Sequence, residues 1–319
     1  MKKLTLLALT LALPALAQAP QFHVALSGQF GNYTGPSEQL ALRGYHNTVP
    51  YTNNGEPVTY NMGSKTPLQL DLGIQNGDDD FVLSYWSGNA KGSGSFTADT
   101  ATSGNYYFSP YASYLGRLGL SNGNSEVKAH TLDISWIRTF VKNDKGSLAF
   151  SMGLREFKIE RHMFLDQFDT TTPTMRHMGY DQIDATTKGF GLTAGLSGRY
   201  NFTERVWLSG GVKLAMTGGT SDFEYQQNYD PAYSPNNGTP YLQATLHGQK
   251  ATSIQMDSEL KVSMTFVAGF DGFIGYRMKS FQNVLGNDSG TVYGYNNIPV
   301  FGPTTVGFNG IIVGAAYRF

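Results

Sequence analysis

The sequence predicts an all-β protein, a transmembrane antiparallel up-and-down β-barrel of about ten strands. Three observations predict it: an export signal at the N-terminus, alternating apolar and polar residues, and connections that alternate between short and long. The chain has 319 residues, 38 of them glycine, and only 15% are charged. Eight and twelve strands are the alternative counts.

The N-terminus has the features of an export signal. Lys2 and Lys3 precede a short apolar run, and the small residues Ala15 and Ala17 are typical of a cleavage site. We therefore expect a signal peptide over 1–17 and a mature barrel over 18–319. A retained membrane anchor is the weaker interpretation, because the apolar run is too short to span a bilayer comfortably.

Segments of alternating polarity supply the predicted strands. Leu68, Leu70 and Leu72, for example, alternate with polar or small residues. Most segments reach the ~9 to 11 residues that a tilted strand needs to cross a bilayer, whereas strands of soluble proteins have ~5 to 6. The predicted strands are 22–32, 66–75, 80–89, 128–141, 147–159, 186–201, 205–217, 252–266, 272–282 and 305–319.

The connections between these segments differ in length in a regular order. Short turns are expected at Asn76 to Asp79, Lys142 to Gly146, Phe202 to Glu204 and Val267 to Asp271. Long polar loops are expected over 33–65, 90–127, 160–185, 218–251 and 283–304. Outer-membrane barrels have this order, with short periplasmic turns and long extracellular loops, whereas a soluble sandwich has no reason to sort its loops by length.

One face of each predicted strand is apolar and the other carries the charges. In a membrane barrel the apolar face meets lipid and the charged face lines the lumen. Because acids and bases nearly balance there, a conducting barrel should be only weakly ion-selective. The expected lumen residues are Asp71, Asp133, Arg155, Arg199, Lys213, Asp257, Glu259, Lys261 and Arg277.

Hairpin register predicts one specific contact in the lumen. A turn centred on Asp144 places Asp133 opposite Arg155 on the charged face, and these side chains should form an ion pair. The alternative is that each charge is solvated in an open pore. On the apolar face the same register pairs Trp136 with Met152, Ile134 with Leu154 and Phe140 with Leu148.

The chain ends on a strand with aromatic residues at its last alternate positions. These positions are Ile311, Val313, Ala315, Tyr317 and Phe319. The pattern resembles the C-terminal signature strand of bacterial outer-membrane proteins, and this resemblance implies recognition by the barrel assembly machinery. Tyr317 and Phe319 would lie at the periplasmic interface, where amphipathic aromatic rings are favoured.

The C-terminal half also resembles a known family. "KGFGLTAGLSGRYNFTERVWLSGGVKLAM" from Lys188, "SELKVSMTFVAGFDGFIGYRM" from Ser258 and the closing "GFNGIIVGAAYRF" look like the later strands of the pore-forming major outer membrane protein family. The resemblance implies an outer-membrane location and pore activity. It supplies no catalytic residue.

Other kinds of chemistry find little support. The net charge of -1 gives no basis for a nucleic-acid partner, and the absence of cysteine removes thiolate chemistry. Asp78, Asp79 and Asp80 lack the ligand spacing of an EF-hand loop, so we expect a solvated turn, no metal and no cofactor. Glu160, Arg161, His162, Asp166 and His177 lie near one loop but in no recognisable catalytic arrangement, so an outer-membrane protease is a weak hypothesis.

These observations favour a small porin-like passive channel, not an enzyme, that contacts outer-membrane lipid and passes small solutes. The alternative is a non-conducting structural or adhesin-like barrel, because balanced charges in a narrow lumen also permit a salt-bridged plug. The aromatic segment Asn105 to Leu118 fits an adhesive surface, a segment folded into the barrel mouth, or an extension of the strands.

Overall fold

The computed structural model describes residues 20–35, 38–43, 56–97, 106–107, 120–169, 176–229, 242–285 and 303–319. In this part of the chain, ten strands form a closed antiparallel barrel and three short strands form a separate sheet. None of these residues belongs to a helix that is long and apolar enough to cross a membrane. The expected signal peptide lies outside the described residues.

The barrel strands are β1 (Gln21–Thr34), β4 (Gly63–Asn76), β5 (Asp79–Thr97), β7 (Leu120–Asn143), β8 (Gly146–Asp169), β9 (Arg176–Asn201), β10 (Val206–Tyr229), β11 (Leu242–Val267), β12 (Phe270–Leu285) and β13 (Pro303–Arg318). Their order around the barrel is β1-β13-β12-β11-β10-β9-β8-β7-β5-β4, and β4 pairs with β1. The small sheet contains β2 (Glu38–Arg43), β3 (Glu56–Tyr60) and β6 (Tyr106–Tyr107).

The prediction of ten barrel strands is confirmed, and every predicted segment falls on one of them. The four expected short turns are also present, between β4 and β5, β7 and β8, β9 and β10, and β11 and β12. Gly77 and Gly269 take φ values of 63° and 80° in two of these turns, a conformation that other residues rarely adopt. We call this end of the barrel the turn end and the opposite end the loop end.

The predicted loops are too long, because β7 to β11 continue well beyond the segments assigned to them. Each of these five strands has 24 or 26 residues. Near the loop end the polarity of the two faces reverses: Met163 and Ile183 are buried inside, while His162 and Asp184 point outward. The predicted strands end where apolar residues stop alternating on the outward face. Beyond that point the apolar residues point inward, so the strand ends there were predicted as loops.

The predicted register of the β7–β8 hairpin is correct for Asp133 with Arg155, and for the apolar pairs further from the turn. The pairing of Phe140 with Leu148 is wrong, because Leu148 faces Val141 and a β-bulge lies between Thr139 and Val141. The turn residues are Asp144 and Lys145, so the turn is centred between them, half a residue beyond the predicted centre at Asp144. The bulge offsets this difference, so the rest of the hairpin keeps the expected register.

The small sheet was not predicted. Within the aromatic segment Asn105 to Leu118, only Tyr106–Tyr107 is described, and it pairs with β2. The remainder of this segment lies outside the described residues, so the three interpretations of the segment stay open.

Toward the turn end, the outer face of the barrel is an apolar belt. One row of cross-strand neighbours runs over six adjacent strands from β5 to β11, and every member of the row is apolar and exposed or half-buried. Inside the barrel at the same strands lie polar and charged side chains. The row is Leu83, Ile134, Leu154, Leu192, Met216 and Ile254.

Candidate functional site

The barrel interior contains two stacked sets of side chains that define the candidate site. We call the first set the ionic layer; it consists of Asp133, Arg155, Lys213, Asp257, Glu259, Lys261, Arg277 and Lys279. We call the second set the aromatic layer; it consists of Trp86, Phe157, Phe281 and Phe308. The aromatic layer lies on the loop-end side of the ionic layer.

Arg155 is the centre of the ionic layer. Its Nε and one Nη donate to the two carboxylate oxygens of Asp133, both at 2.6 Å, so the expected pair forms in a two-pronged geometry. The same guanidinium reaches across the lumen to Asp257 Oδ2 at 2.5 Å and Gln255 Oε1 at 3.2 Å on β11. The Arg155 side chain has no exposed surface.

Lys279 extends the ionic layer to the opposite wall. Its ammonium lies 3.1 Å from Asp257 Oδ2 and donates to Thr131 Oγ1 at 3.0 Å. Thr131 lies on β7 and Lys279 on β12, and these strands are diametrically opposite in the order around the barrel. The ammonium also lies 4.8 Å from the centre of the Trp86 ring. The ionic layer therefore spans the full width of the lumen.

The remaining charges of the layer are paired along the walls. Lys213 Nζ contacts Asp133 Oδ2 at 3.4 Å and donates to Ser135 Oγ at 3.1 Å. Glu259 accepts hydrogen bonds from Arg277, with Nε at 2.9 Å, and pairs with Lys261 at 2.6 Å. Because each carboxylate has at least two cationic neighbours, the layer is held by a network of ion pairs.

The aromatic layer lies in the lumen on the loop-end side of the charges. The Trp86 ring centroid lies 5.2 Å from that of Phe308 and 5.9 Å from that of Phe281, and Phe157 stacks on Phe281 at 6.3 Å. All four side chains are almost fully buried. They belong to a core cluster with aliphatic residues such as Ile159 and Val306, so this level of the interior is packed like a protein core.

A cavity of about 350 Å³ lies in the turn half of the lumen. On β8, β9 and β10 most residues that line it are small, apart from Arg199 and Lys213; the small ones are Ser147, Ala149, Ser151, Ser197, Ser209 and Gly211. The next strands in the barrel, β11 and β12, contribute charged side chains to the lining. The cavity exists because small side chains leave space beside long charged ones.

All nine predicted lumen residues lie on the inner face of their strands. The structure brings seven of them into the ionic layer and leaves two outside it. Asp71 accepts a hydrogen bond from Gln69 at 2.8 Å, and Arg199 lines the cavity nearer the turn end. Four of the five predicted C-terminal residues lie in β13, and Phe319, directly after the strand, hydrogen-bonds through its backbone with Phe22 at 2.9 and 3.0 Å.

Sequence reasoning missed Lys279, Gln255 and the aromatic layer. Lys279 stands two residues after Arg277, so the alternation that identified Arg277 could also have identified Lys279. Trp86 follows Ser84 on the inner face in the same way. Apolar residues on a face assumed to be polar were not considered as interior groups.

The acidic run after β4 is not a freely solvated turn. Asp79 accepts a hydrogen bond from Trp136 Nε1 at 2.9 Å, and Asp80 lies 2.9 Å from His23 Nε2. These carboxylates therefore tie β5 to β7 and to β1 at the turn end.

Two aspartate–histidine hydrogen bonds occur near the loop end of the β8–β9 hairpin. His162 lies 2.6 Å from Asp184, and His177 lies 2.6 Å from Asp166. Both contacts are on the outer face of the β8–β9 hairpin, and all four side chains are partly exposed. Neither of the two contacts faces the lumen or its cavity.

Comparison with known proteins finds similarities to solved structures alone. No family model matches the chain, and no curated protein matches it. The outer membrane protease OmpT from Escherichia coli is 12% identical with a TM-score of 0.45, over 94% of this chain and 97% of that chain. A major outer membrane protein from Thermus thermophilus is 12% identical with a TM-score of 0.35, over 95% and 100%.

The toluene transporter TodX from Pseudomonas putida is a third similar structure. It is 10% identical with a TM-score of 0.33, over 98% of this chain and 93% of that chain. These identities and TM-scores are too low to assign a family or an activity to this chain.

Proposed function

We propose that this chain is a bacterial outer-membrane barrel with its turn end in the periplasm, its loop end outside the cell and its lumen closed to solutes. The membrane location is supported by the outer face, where the apolar belt would be unfavourable in water. A closed barrel also pairs its backbone groups within the sheet, which a bilayer requires of any strand structure. Outer-membrane lipid is then the partner of the belt.

The reversal of polarity along the strands supports the same location. Within the belt the apolar side chains point outward, whereas beyond it Met163, Leu165 and Ile183 point inward and are buried. Two solvents explain this change: lipid around the belt and water around the loop-end extension. A barrel wholly in water would keep one polarity along its whole length.

Closure of the lumen rests on one observation, the hydrogen bond between Lys279 and Thr131 from opposite walls. This bond divides the lumen at that level, Arg155 crosses it again to reach Asp257 and Gln255, and the aromatic layer adds a further barrier. A ten-stranded barrel is only slightly wider than eight-stranded barrels, whose interiors side chains fill. The closed barrel would then act through its loop-end surface, as a structural or binding protein.

The small passive channel is the second candidate. The cavity of about 350 Å³ in the turn half favours it, since it shows that part of the lumen is not filled. Transport would require the ionic and aromatic layers to separate. We propose no enzymatic activity, because the two aspartate–histidine hydrogen bonds of the β8–β9 hairpin lie on the outer face and away from the cavity.

Conductance measurements distinguish the two candidates. Refolded protein inserted into a planar bilayer is expected to give no regular single-channel steps, because both layers close the lumen. Insertion is checked on the same sample by protease protection of the barrel in vesicles, and protein that was never refolded serves as the leak control. Reproducible steps from inserted protein would instead support the channel.

Assembly into the outer membrane is expected to depend on Phe319. Its backbone closes the barrel against Phe22 with two hydrogen bonds, and the two rings stack at 6.0 Å between centroids. We propose that the barrel assembly machinery recognises this strand. Deleting Phe319 should therefore lower the amount of protein in outer-membrane fractions, while Phe266→Ala, which removes an exposed ring from the same end, should not.

Equal amounts of the Phe319 deletion and the parent protein in the membrane would contradict that recognition. Equal losses in the deletion and in Phe266→Ala would assign the effect to aromatic surface in general.

A further inference from the structure

The turn half of the lumen contains a row in which a serine stands between two cations. Arg199 on β9, Ser209 on β10 and Lys261 on β11 are direct cross-strand neighbours on the inner face. Side chains opposite each other in such pairs are ~4.5 to 5.5 Å apart at Cβ. All three line the cavity, so a molecule in the cavity would meet them together.

Arg199 has donors that the described structure leaves available. Its Nε donates to Asn201 Oδ1 at 2.7 Å, and the guanidinium carbon lies 4.0 Å from the centre of the Trp207 ring. Within the described residues, no carboxylate forms an ion pair with Arg199. A guanidinium held on an aromatic ring presents its remaining N–H groups in a fixed fork that matches a carboxylate or phosphate.

Ser209 also has a polar group that could bind a ligand. Its Oγ is buried and, among the described residues, has no hydrogen-bond partner. A buried hydroxyl normally has a partner, because leaving it unsatisfied costs free energy. Gly211 and Ser197 beside it are small, and all three residues line the cavity wall.

The charge of the cavity wall favours an anion. Its cationic side chains are Arg199, Lys213, Lys261, Arg277 and Lys279, and its carboxylates are Asp133, Asp257 and Glu259. Among these lining groups the bases outnumber the acids, which favours an anion over a cation in the cavity.

We propose that Arg199, Ser209 and Lys261 bind a small oxyanion, a phosphate or carboxylate group of a molecule that enters from the turn end. Arg199 would hold two oxygens, Ser209 would donate its hydroxyl to one of them, and the Lys261 ammonium would complete the charge. Glu259 pairs with that ammonium at 2.6 Å and would compete with the ligand for it. The site does not depend on whether the lumen conducts.

Calorimetric titration of the refolded, detergent-solubilised protein tests this site. Inorganic phosphate and succinate are the two probes, at constant ionic strength with chloride as the background anion. Binding of either probe is expected, and the stronger probe identifies the group that the site prefers. If neither probe binds at concentrations up to about 10 mM, which corresponds to only ~3 kcal/mol of binding free energy, the proposal is overturned.

Variants assign the binding to the row. Arg199→Gln should weaken binding about tenfold or more, since it removes a charge and charge-assisted hydrogen bonds to the oxyanion. Arg205→Gln, in the exposed turn 202–205, removes the same charge outside the cavity and should bind as the parent does. Equal weakening in both variants would show that surface charge, and not the row, attracts the anion.

Two further variants separate ligand binding from folding. Ser209→Ala should weaken binding severalfold without lowering the melting temperature, because the hydroxyl has no partner in the described structure to lose. Glu259→Gln should tighten binding, because it releases Lys261 and removes a competing negative charge; misfolding cannot produce such a gain. Weaker binding by folded Glu259→Gln, or unchanged binding by Ser209→Ala, would overturn the assigned contacts.

Discussion

Arg155→Met is expected to destabilise the barrel by about 3–5 kcal/mol, because it leaves two buried carboxylates without the cation they share. Asp133 loses both prongs of its ion pair, and Asp257 loses its 2.5 Å contact. Methionine has a similar length, so the effect measures charge and hydrogen bonding more than lost volume. Urea unfolding of the protein refolded in lipid vesicles gives the free energy of unfolding.

Lys158→Met is the matched control for that prediction. Lys158 lies on the same strand but on the outer face, where it forms a partly exposed ion pair with Glu160. Such a pair contributes about 1 kcal/mol or less. Adding Asp133→Asn to Arg155→Met should recover part of the lost stability, because it neutralises one of the stranded carboxylates.

An Arg155→Met effect as small as that of Lys158→Met would mean that water solvates these charges and that the lumen is open. The ionic layer would then be a feature of an accessible pore, and closure of the barrel at that level would be wrong.

The Asp133–Arg155 pair could be predicted from sequence because a strand has a period of two. A slip of one residue would have turned every apolar side chain of the hairpin to the wrong face, so only the correct register agreed with both strands. The prediction also survived two local errors, the turn centre and the bulge near Phe140, because they offset each other.

The rest of the ionic layer could not be predicted, since its contacts form only when the ten strands join into a closed cylinder. Lys279 meets Thr131 and Asp257 only because β12 stands opposite β7 and beside β11. Alternation assigns a residue to the inner face, but it does not say which inner residues meet across the lumen. Those contacts are set by the strand number and stagger of the barrel.

The loop-end extensions were missed for a different physical reason. The sequence pattern was assessed for apolar residues on one face only, as a strand in a single solvent would require. Met163 and Leu165 are inward, whereas Leu192 in the belt is outward, and the change occurs within continuous strands. A search for alternation of either polarity would have found the full length of β8 and β9.

Leu192→Arg is expected to destabilise the barrel in phospholipid vesicles by about 2–4 kcal/mol, the cost of an arginine on the lipid face near the bilayer midplane. Leu192 is 68% exposed, and its cross-strand neighbours on the outer face are Leu154 and Met216. If lipid surrounds the belt, water cannot solvate the arginine charge that the substitution adds there. Urea unfolding in vesicles measures the change.

Asn124→Arg provides the control, because Asn124 is exposed on the outer face of β7 toward the loop end, beyond the belt. The expected change there is within about 0.5 kcal/mol, as for most surface substitutions. Both substitutions are on the outer face, so the difference between their changes in free energy of unfolding depends on the solvent around the belt and not on packing of the barrel interior. A Leu192→Arg protein as stable as Asn124→Arg, and soluble without detergent, would show that water surrounds the belt, and the proposed membrane location would then be wrong.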